Sequence, residues 1–284
     1  MKKLLLILLC LPMIYGCSKT TDIGDLDVAL YETYEYSELF QALESANSFL
    51  RETAEADTDD EAVTEATDGE AEVIAESTDE VADLLAQIEA DALTADSSVS
   101  RTFEEFATEN PLYALLYPNV NQQTSQLNTG PVVGFCAVKD TAALNVYLKD
   151  DAIRKFFPVD VEFAYTVKPY DYEEKFVQLV ALKLNTRNYK PQDSCRILKA
   201  QVVSGYSMPE ISLELDSSGA LQFKRLSAKN IGKSIAIVIN GYVYAYPTVQ
   251  QEIEGGRINI TGNFILTEVK DLAQRINGRK VYFF

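Results

Sequence analysis

Glu252 and Glu254 stand two positions apart beside Gly255-Gly256, the nearest the sequence comes to a paired-carboxylate acid–base site. On a strand both would point to one face, and two exposed carboxylates are far more often a solvated edge than a catalytic pair. Gly255, Gly256 and Gly262 do not make a phosphate loop, because no Gly-Lys-Ser/Thr follows and no glycine pattern opens a helix; turn geometry accounts for them. Tyr242, Tyr244 and Tyr246 recur with period two after Asn240-Gly241, which predicts all three on one side of a sheet. Such a stripe is either an aromatic ladder under a helix or an aromatic, hydrogen-bonding surface for extended polypeptide. The acidic run from Asp57 to Glu61 lacks the alternating oxygen ligands and the position-six glycine of a calcium loop. No metal site and no cofactor are expected.

Composition narrows the chemistry further. None of the 284 residues is a histidine, which removes imidazole bases, Ser-His and Cys-His nucleophiles and His metal ligands. No catalytic residue is assigned, and the chain is expected not to be an enzyme or to take a small-molecule substrate. The formal charge of -18 argues against nucleic acid, which needs a basic face. That charge is unevenly placed: 17 acidic residues lie between Glu52 and Asp96 with no Lys or Arg among them, whereas residues 101–284 hold 19 acidic and 21 basic side chains. A nearly neutral body on an acidic strap is the expectation.

The N-terminus bears on compartment. Met1-Lys2-Lys3 followed by the apolar run Leu4 to Ile14 has the charged start and greasy stretch of a secretory signal, too short to cross a bilayer comfortably. It ends in Ile14-Tyr15-Gly16-Cys17, which resembles the lipobox of bacterial lipoproteins and implies lipidation at Cys17 and anchoring to a membrane facing the periplasm. Ser18 is not an aspartate retention signal, which leans toward the outer membrane and leaves the choice between inner and outer membrane open. Cys136 and Cys195 remain in the body; an oxidising compartment permits a bridge between them, and two buried thiols are the equal alternative.

The expected organisation is a signal peptide at 1–16, a tether with a strand and a helix at 17–50, an acidic linker with a short amphipathic helix at 51–97, and a body at 98–284. Residues 27–35 alternate as a strand, and apolar positions from Leu39 to Leu50 follow helical spacing with Ser37 as cap. Arg51 to Thr78 has almost no large apolar side chain to offset ordering entropy. Val81, Leu84, Leu85, Ile88 and Leu93 return at helical spacing. Beyond 100, strands are expected at 132–138, 161–167, 176–184, 196–203, 210–215, 235–239, 242–246, 258–260 and 280–284. Helices are expected at Phe103 and Phe106, from the cap Asp140 through Leu148, at 151–157, from Ser218 through about Leu226, and from the cap Thr267 through Ile276. Asn240-Gly241 is a hairpin signal, because a type I′ turn needs positive φ at both positions. Helices and strands mix without a regular βαβ repeat, which predicts α+β with a mixed, largely antiparallel sheet.

One stretch is more specific. Ile211 to Leu215, Gly219-Ala220, Phe223, Asn230-Ile231-Gly232-Lys233, Ala236 to Gly241, Pro247, Ile253, Gly255-Gly256, Ile260, Gly262, Phe264, Glu268, Leu272-Ala273 and Gly278 resemble, in order and spacing, the head of the first periplasmic domain of the SecD and SecDF protein-export family. Residues 29–36 (ALYETYEY), 110–117 (NPLYALLY), 166–169 and 179–182 (LVAL) are similar to further parts of that head. The family's six membrane-spanning helices, its intramembrane acidic residue and the opening of its base have no counterpart here, and Asn240 stands where the family usually has Asp. The resemblance implies a non-catalytic protein assisting Sec-dependent export, whose partners are unfolded or translocating polypeptide or the Sec translocon. It also implies that proton-driven work is not done by this polypeptide alone. The alternative is an envelope assembly module that binds a folded partner and has no translocation role.

Overall fold

The computed structural model describes residues 26–59, 103–121, 123–124, 126–171, 173, 175–184, 195–205 and 208–284. In chain order its first half comprises β1 (Val28–Thr33), α1 (Tyr36–Asp59), α2 (Phe103–Glu109), β2 (Leu116–Pro118), β3 (Val120–Asn121), β4 (Gln126–Leu127), β5 (Val132–Ala137), α3 (Thr141–Lys149), α4 (Asp151–Arg154), β6 (Val161–Tyr165) and β7 (Phe176–Lys183). The second half adds β8 (Cys195–Ser204), β9 (Pro209–Leu215), α5 (Ser217–Lys229), β10 (Ile235–Ile239), β11 (Tyr242–Ala245), β12 (Arg257–Ile260), α6 (Leu266–Ile276) and β13 (Lys280–Phe283). The signal peptide, Cys17 and the amphipathic stretch Val81 to Leu93 lie outside the described residues. Among the described residues no helix is long and apolar enough to cross a membrane.

β1 organises the rest because all six of its residues are buried, so both faces need apolar partners. Along one edge it pairs antiparallel with β10, from Val28 opposite Ile239 to Glu32 opposite Ile235. Along the other it meets β13, in parallel, and then β7, antiparallel, end to end. The strand expected in the tether is therefore an interior strand of the body's own sheet. From β13 a wing continues through β8 and β9 to β12, and from β7 another continues through β5 to β2. β1 with β13 is the parallel pair, and the other pairs of these strands are antiparallel. The fold is α+β with a large, mixed and mainly antiparallel sheet.

Alternation along the strands distributes side chains among three apolar clusters. Val28 and Leu30 join Ile235, Ile237 and Ile239 under α5 and α6. On the N-terminal wing, α1 to α4 cover Val133, Leu179 and Ala181. Ala29, Tyr31, Val180, Leu182, Ala236, Val238 and Val243 form the third cluster, with Phe284 stacked on Tyr31 at 4.6 Å between centroids. This cluster fills a small ring of strands, β7-β1-β10-β11-β6-β7. The ring closes where Val167 N–H donates to Val243 O at 2.9 Å and Thr166 bridges Val243.

Two helix starts differ from expectation for one reason. Neither Ser37 nor Thr267 is the cap; instead Glu38 accepts from Glu35 N–H at 2.8 Å and Glu268 from Ile265 N–H at 3.0 Å. In each case a carboxylate in the first turn reaches back to satisfy an orphan donor and lies favourably at the positive end of the helix. α1 also runs nine residues past Leu50, into the stretch expected to be linker. Its Ala and Glu residues hold a helix by propensity without needing a buried face.

Candidate functional site

The hairpin that carries the tyrosines is set by Asn240 and Gly241, both at positive φ (50° and 77°). Asparagine and glycine tolerate this left-handed pair, which matches the twist of the flanking strands. Beyond the turn the ladder slips: Val238 faces Val243 but Ile237 faces Ala245, so β11 carries an extra residue at Tyr244. This bulge breaks the period of two, and the three tyrosines do not share a face as alternation predicted. Val243 and Tyr246 belong with the ring cluster, whereas Tyr244 and Ala245 pack with the cluster under α6. Tyr242 remains half-exposed near the turn.

Tyr244 and Tyr246 nonetheless both line one groove of about 440 Å³ between β11, the chain after β6 and the segment 261–264. Tyr244 stacks on Phe264 with centroids 5.9 Å apart, and Tyr246 Oη donates to Gln178 Oε1 at 2.7 Å. Gln178 is held in turn, its N–H donating to Thr166 Oγ1 at 3.1 Å and its carbonyl accepting from Thr166 N–H at 2.9 Å. Tyr170, mostly exposed, and Pro169 extend the lining. At one end Lys168 pairs with Glu268 and lies 6.0 Å from the Phe264 ring centroid. The hydrogen bond from Lys168, helped by the Ile265 N–H, holds the Glu268 carboxyl below the usual carboxylate range. Burial pushes the Tyr244 and Tyr246 phenols up, so both stay protonated at neutral pH. The groove thus offers apolar ring faces, phenol O–H groups and an internally neutralised charge. Those suit apolar and polar groups of an extended chain better than an ion.

The other residues singled out by sequence have structural partners. Glu252 and Glu254 are in a loop rather than a strand, and Lys224 Nζ grips both, at 3.0 and 2.6 Å. Hydrogen bonding from Lys224 holds the Glu254 carboxyl below the usual carboxylate range, and the shared lysine ties both side chains to α5. Gly255 and Gly256 form the turn into β12 at positive φ. At Gly256 an added Cβ would lie 2.6 Å from the Ala220 Cβ, so glycine is also needed for close approach to α5. Gly262 lies in the wall of the tyrosine groove. Cys136 and Cys195 are buried thiols in different apolar clusters, on opposite wings of the sheet, and form no bridge. Burial pushes the Cys136 thiol up to about 12, reinforced by Asp140.

A polar cluster that the sequence did not reveal lies at the end of α5. Lys229 reaches the nearly buried Glu32 at 2.6 Å, and Glu38 faces Lys183 and Lys233, each at 3.7 Å. Lys183 also sits 4.3 Å from the Tyr34 ring centroid, and Tyr34 Oη donates to Asp160 at 2.6 Å. Burial raises the Glu38 carboxyl, but the Glu35 N–H and the two lysines outweigh it and hold it low. These residues span positions 32 to 233 and share no local spacing; only the pairing of β1 with β7 and β10 brings them together. Among the described residues, no group of three or more His, Cys, Asp or Glu side chains is placed to hold a metal ion.

Residues 193–279 match the family model described as SecDF, P1 head subdomain, which contains the whole stretch from Ile211 to Gly278 that carried the sequence resemblance. The chain is 32% identical over 187 residues to the protein translocase subunit SecD of Rhodothermus marinus, covering 64% of this chain and 29% of that protein. It is 42% identical over 71 residues to SecD of Leptotrichia buccalis, covering 25% of this chain and 18% of that protein. A solved structure titled "Structure and function of a membrane component SecDF that enhances protein export" aligns at 20% identity with a TM-score of 0.30, over 74% of this chain and 92% of that one. The chain spans less than a third of the length of these SecD relatives. It carries a SecD P1 head-like domain.

Proposed function

We propose that this protein assists Sec-dependent protein export without catalysis, its head-like body binding translocating or unfolded polypeptide, or components of the Sec translocon, on the periplasmic side. Lipidation at Cys17 holds it to the membrane in this reading, and the acidic segment sets the body's reach. The observation that carries the reading is the match of residues 193–279 to the SecDF P1 head subdomain. The groove at Tyr244 and Tyr246 supports a polypeptide ligand, because ring faces and phenols contact extended chains without demanding one sequence. A photo-crosslinking amino acid at position 170, on the exposed rim, tests this in cells that are exporting protein. Adducts with nascent secretory chains or Sec subunits are expected. Adducts confined to folded envelope proteins would favour an assembly module and overturn the export reading.

A further inference from the structure

The large sheet closes or blunts most of its margins. β11 is covered by the Thr166–Val167 segment, and β2 is three residues long and ends in Pro118, which has no N–H to offer. β12 is different. It pairs with β9 on one side, and no described strand pairs with the other.

The register fixes which of its backbone groups face outward. Leu215 N–H donates to Gly256 O at 3.0 Å, and these residues lie directly opposite in the β9–β12 ladder. Alternation then directs the N–H and C=O of Ile258 and Ile260 toward β9, and those of Arg257 and Asn259 away from the sheet. Both of the latter residues are exposed.

Beside this edge, on the core face of β12, opens an apolar cleft of about 260 Å³, walled by Ile258, Phe223, Ile235, Ile237, Val249 and Ile253. Its outer wall is fixed in place: Ile253 N–H donates to Ser227 Oγ at 2.9 Å, Lys224 clamps Glu252 and Glu254, and Gly256 seats against Ala220.

We propose that the outer edge of β12 and this cleft form a docking site for one extended segment of unfolded polypeptide. The segment adds as a strand through the backbone of Arg257 and Asn259 and places a large aliphatic or aromatic side chain in the cleft. Unpaired backbone groups recognise another extended backbone whatever its sequence, and alternate side chains of an added strand fall on the core face where the cleft opens. Its walls are mostly aliphatic and aromatic, so the site favours an apolar anchor over a charged one. This site is distinct from the tyrosine groove, and the proposal rests on the reading that the body binds unfolded polypeptide.

The test is amide-resolved hydrogen exchange of the purified full chain with and without reduced, carboxymethylated α-lactalbumin as the probe. Bound probe should slow exchange at Arg257 and Asn259 by roughly tenfold or more. Asn259→Pro removes an outward donor while sparing the bonds to β9, and should weaken binding roughly tenfold, whereas Asn259→Ala keeps the donor and the affinity. Probe binding with unchanged exchange at both amides would overturn the edge site and leave the polypeptide reading standing. No binding by the wild-type chain would remove both. Protection without probe that grows with protein concentration, together with a dimer in sedimentation, would make the occupant a second copy and overturn the proposal.

Discussion

Replacing Gly256 with alanine isolates the contact that seats the turn before β12 on α5. Gly256 sits at φ 63°, and a Cβ there would lie 2.6 Å from Ala220 Cβ and 2.9 Å from Ala220 Cα. Left-handed backbone costs a non-glycine residue about 1–2 kcal/mol, and overpacking a well-filled contact adds about 1–3 kcal/mol, so Gly256→Ala should lose about 3 kcal/mol. Gly255 is at φ 80° with nothing within 4 Å of its added Cβ, so Gly255→Ala carries only the backbone part, about 1 kcal/mol. At roughly 2–4 °C per kcal/mol, thermal unfolding should drop by about 6–12 °C for the first variant and about 2–4 °C for the second. In an Ala220→Gly background the cost of Gly256→Ala should fall by about 1 kcal/mol, because the Cβ contact goes while the 2.9 Å approach to the residue 220 Cα stays. Equal costs for the two glycines, or no rescue by Ala220→Gly, would refute the seating of this turn on α5.

Other expectations follow from single interactions. Tyr246→Phe removes the donor to Gln178 Oε1 and should cost about 1 kcal/mol in urea unfolding; no change would mean that the bond is absent in solution. Glu38 and Glu268 are both held below their ordinary value of 4.5. Their contribution to stability is therefore complete above that value and is lost as pH falls through the lower folded value. Urea midpoints should drop across that acid range, and Lys168→Met should reduce the Glu268 share to what the Ile265 N–H supplies; an acid-insensitive midpoint would contradict both pairings. With its pKa pushed up to about 12, Cys136 should resist alkylation at pH 8 in the native state and react only on unfolding, as read by peptide mass spectrometry.

Much of the fold was legible because the patterns are local. The apolar, strand-forming runs at 28–33, 176–183 and 235–239, and the Asn240-Gly241 turn, required nothing beyond residue type and spacing. β2, β3 and β4 were missed because strands of two or three residues are too short to show a period. The site was legible only in part. Period two grouped Tyr242, Tyr244 and Tyr246, but the bulge at Tyr244 arises from pairing with β10 and has no local signature. Phe264 and Gln178 complete the groove from distant segments, and the outward amides of Arg257 and Asn259 exist only once β12 has a register against β9. Glu252 and Glu254 looked like a strand pair because the sequence does not show that Lys224, about 30 residues earlier on α5, claims both.

The central claim is that the body binds unfolded polypeptide through the groove at Tyr244 and Tyr246. A fluorescence-anisotropy titration of labelled, reduced and carboxymethylated α-lactalbumin with the full chain, wild type against the Tyr244→Ala/Tyr246→Ala double variant, tests it most directly. Saturable binding by the wild type and a roughly tenfold or larger loss in the folded double variant are predicted, since each ring removed from a desolvated contact costs about 1 kcal/mol or more. Equal affinities for the two proteins, or no binding by the wild type, would contradict it.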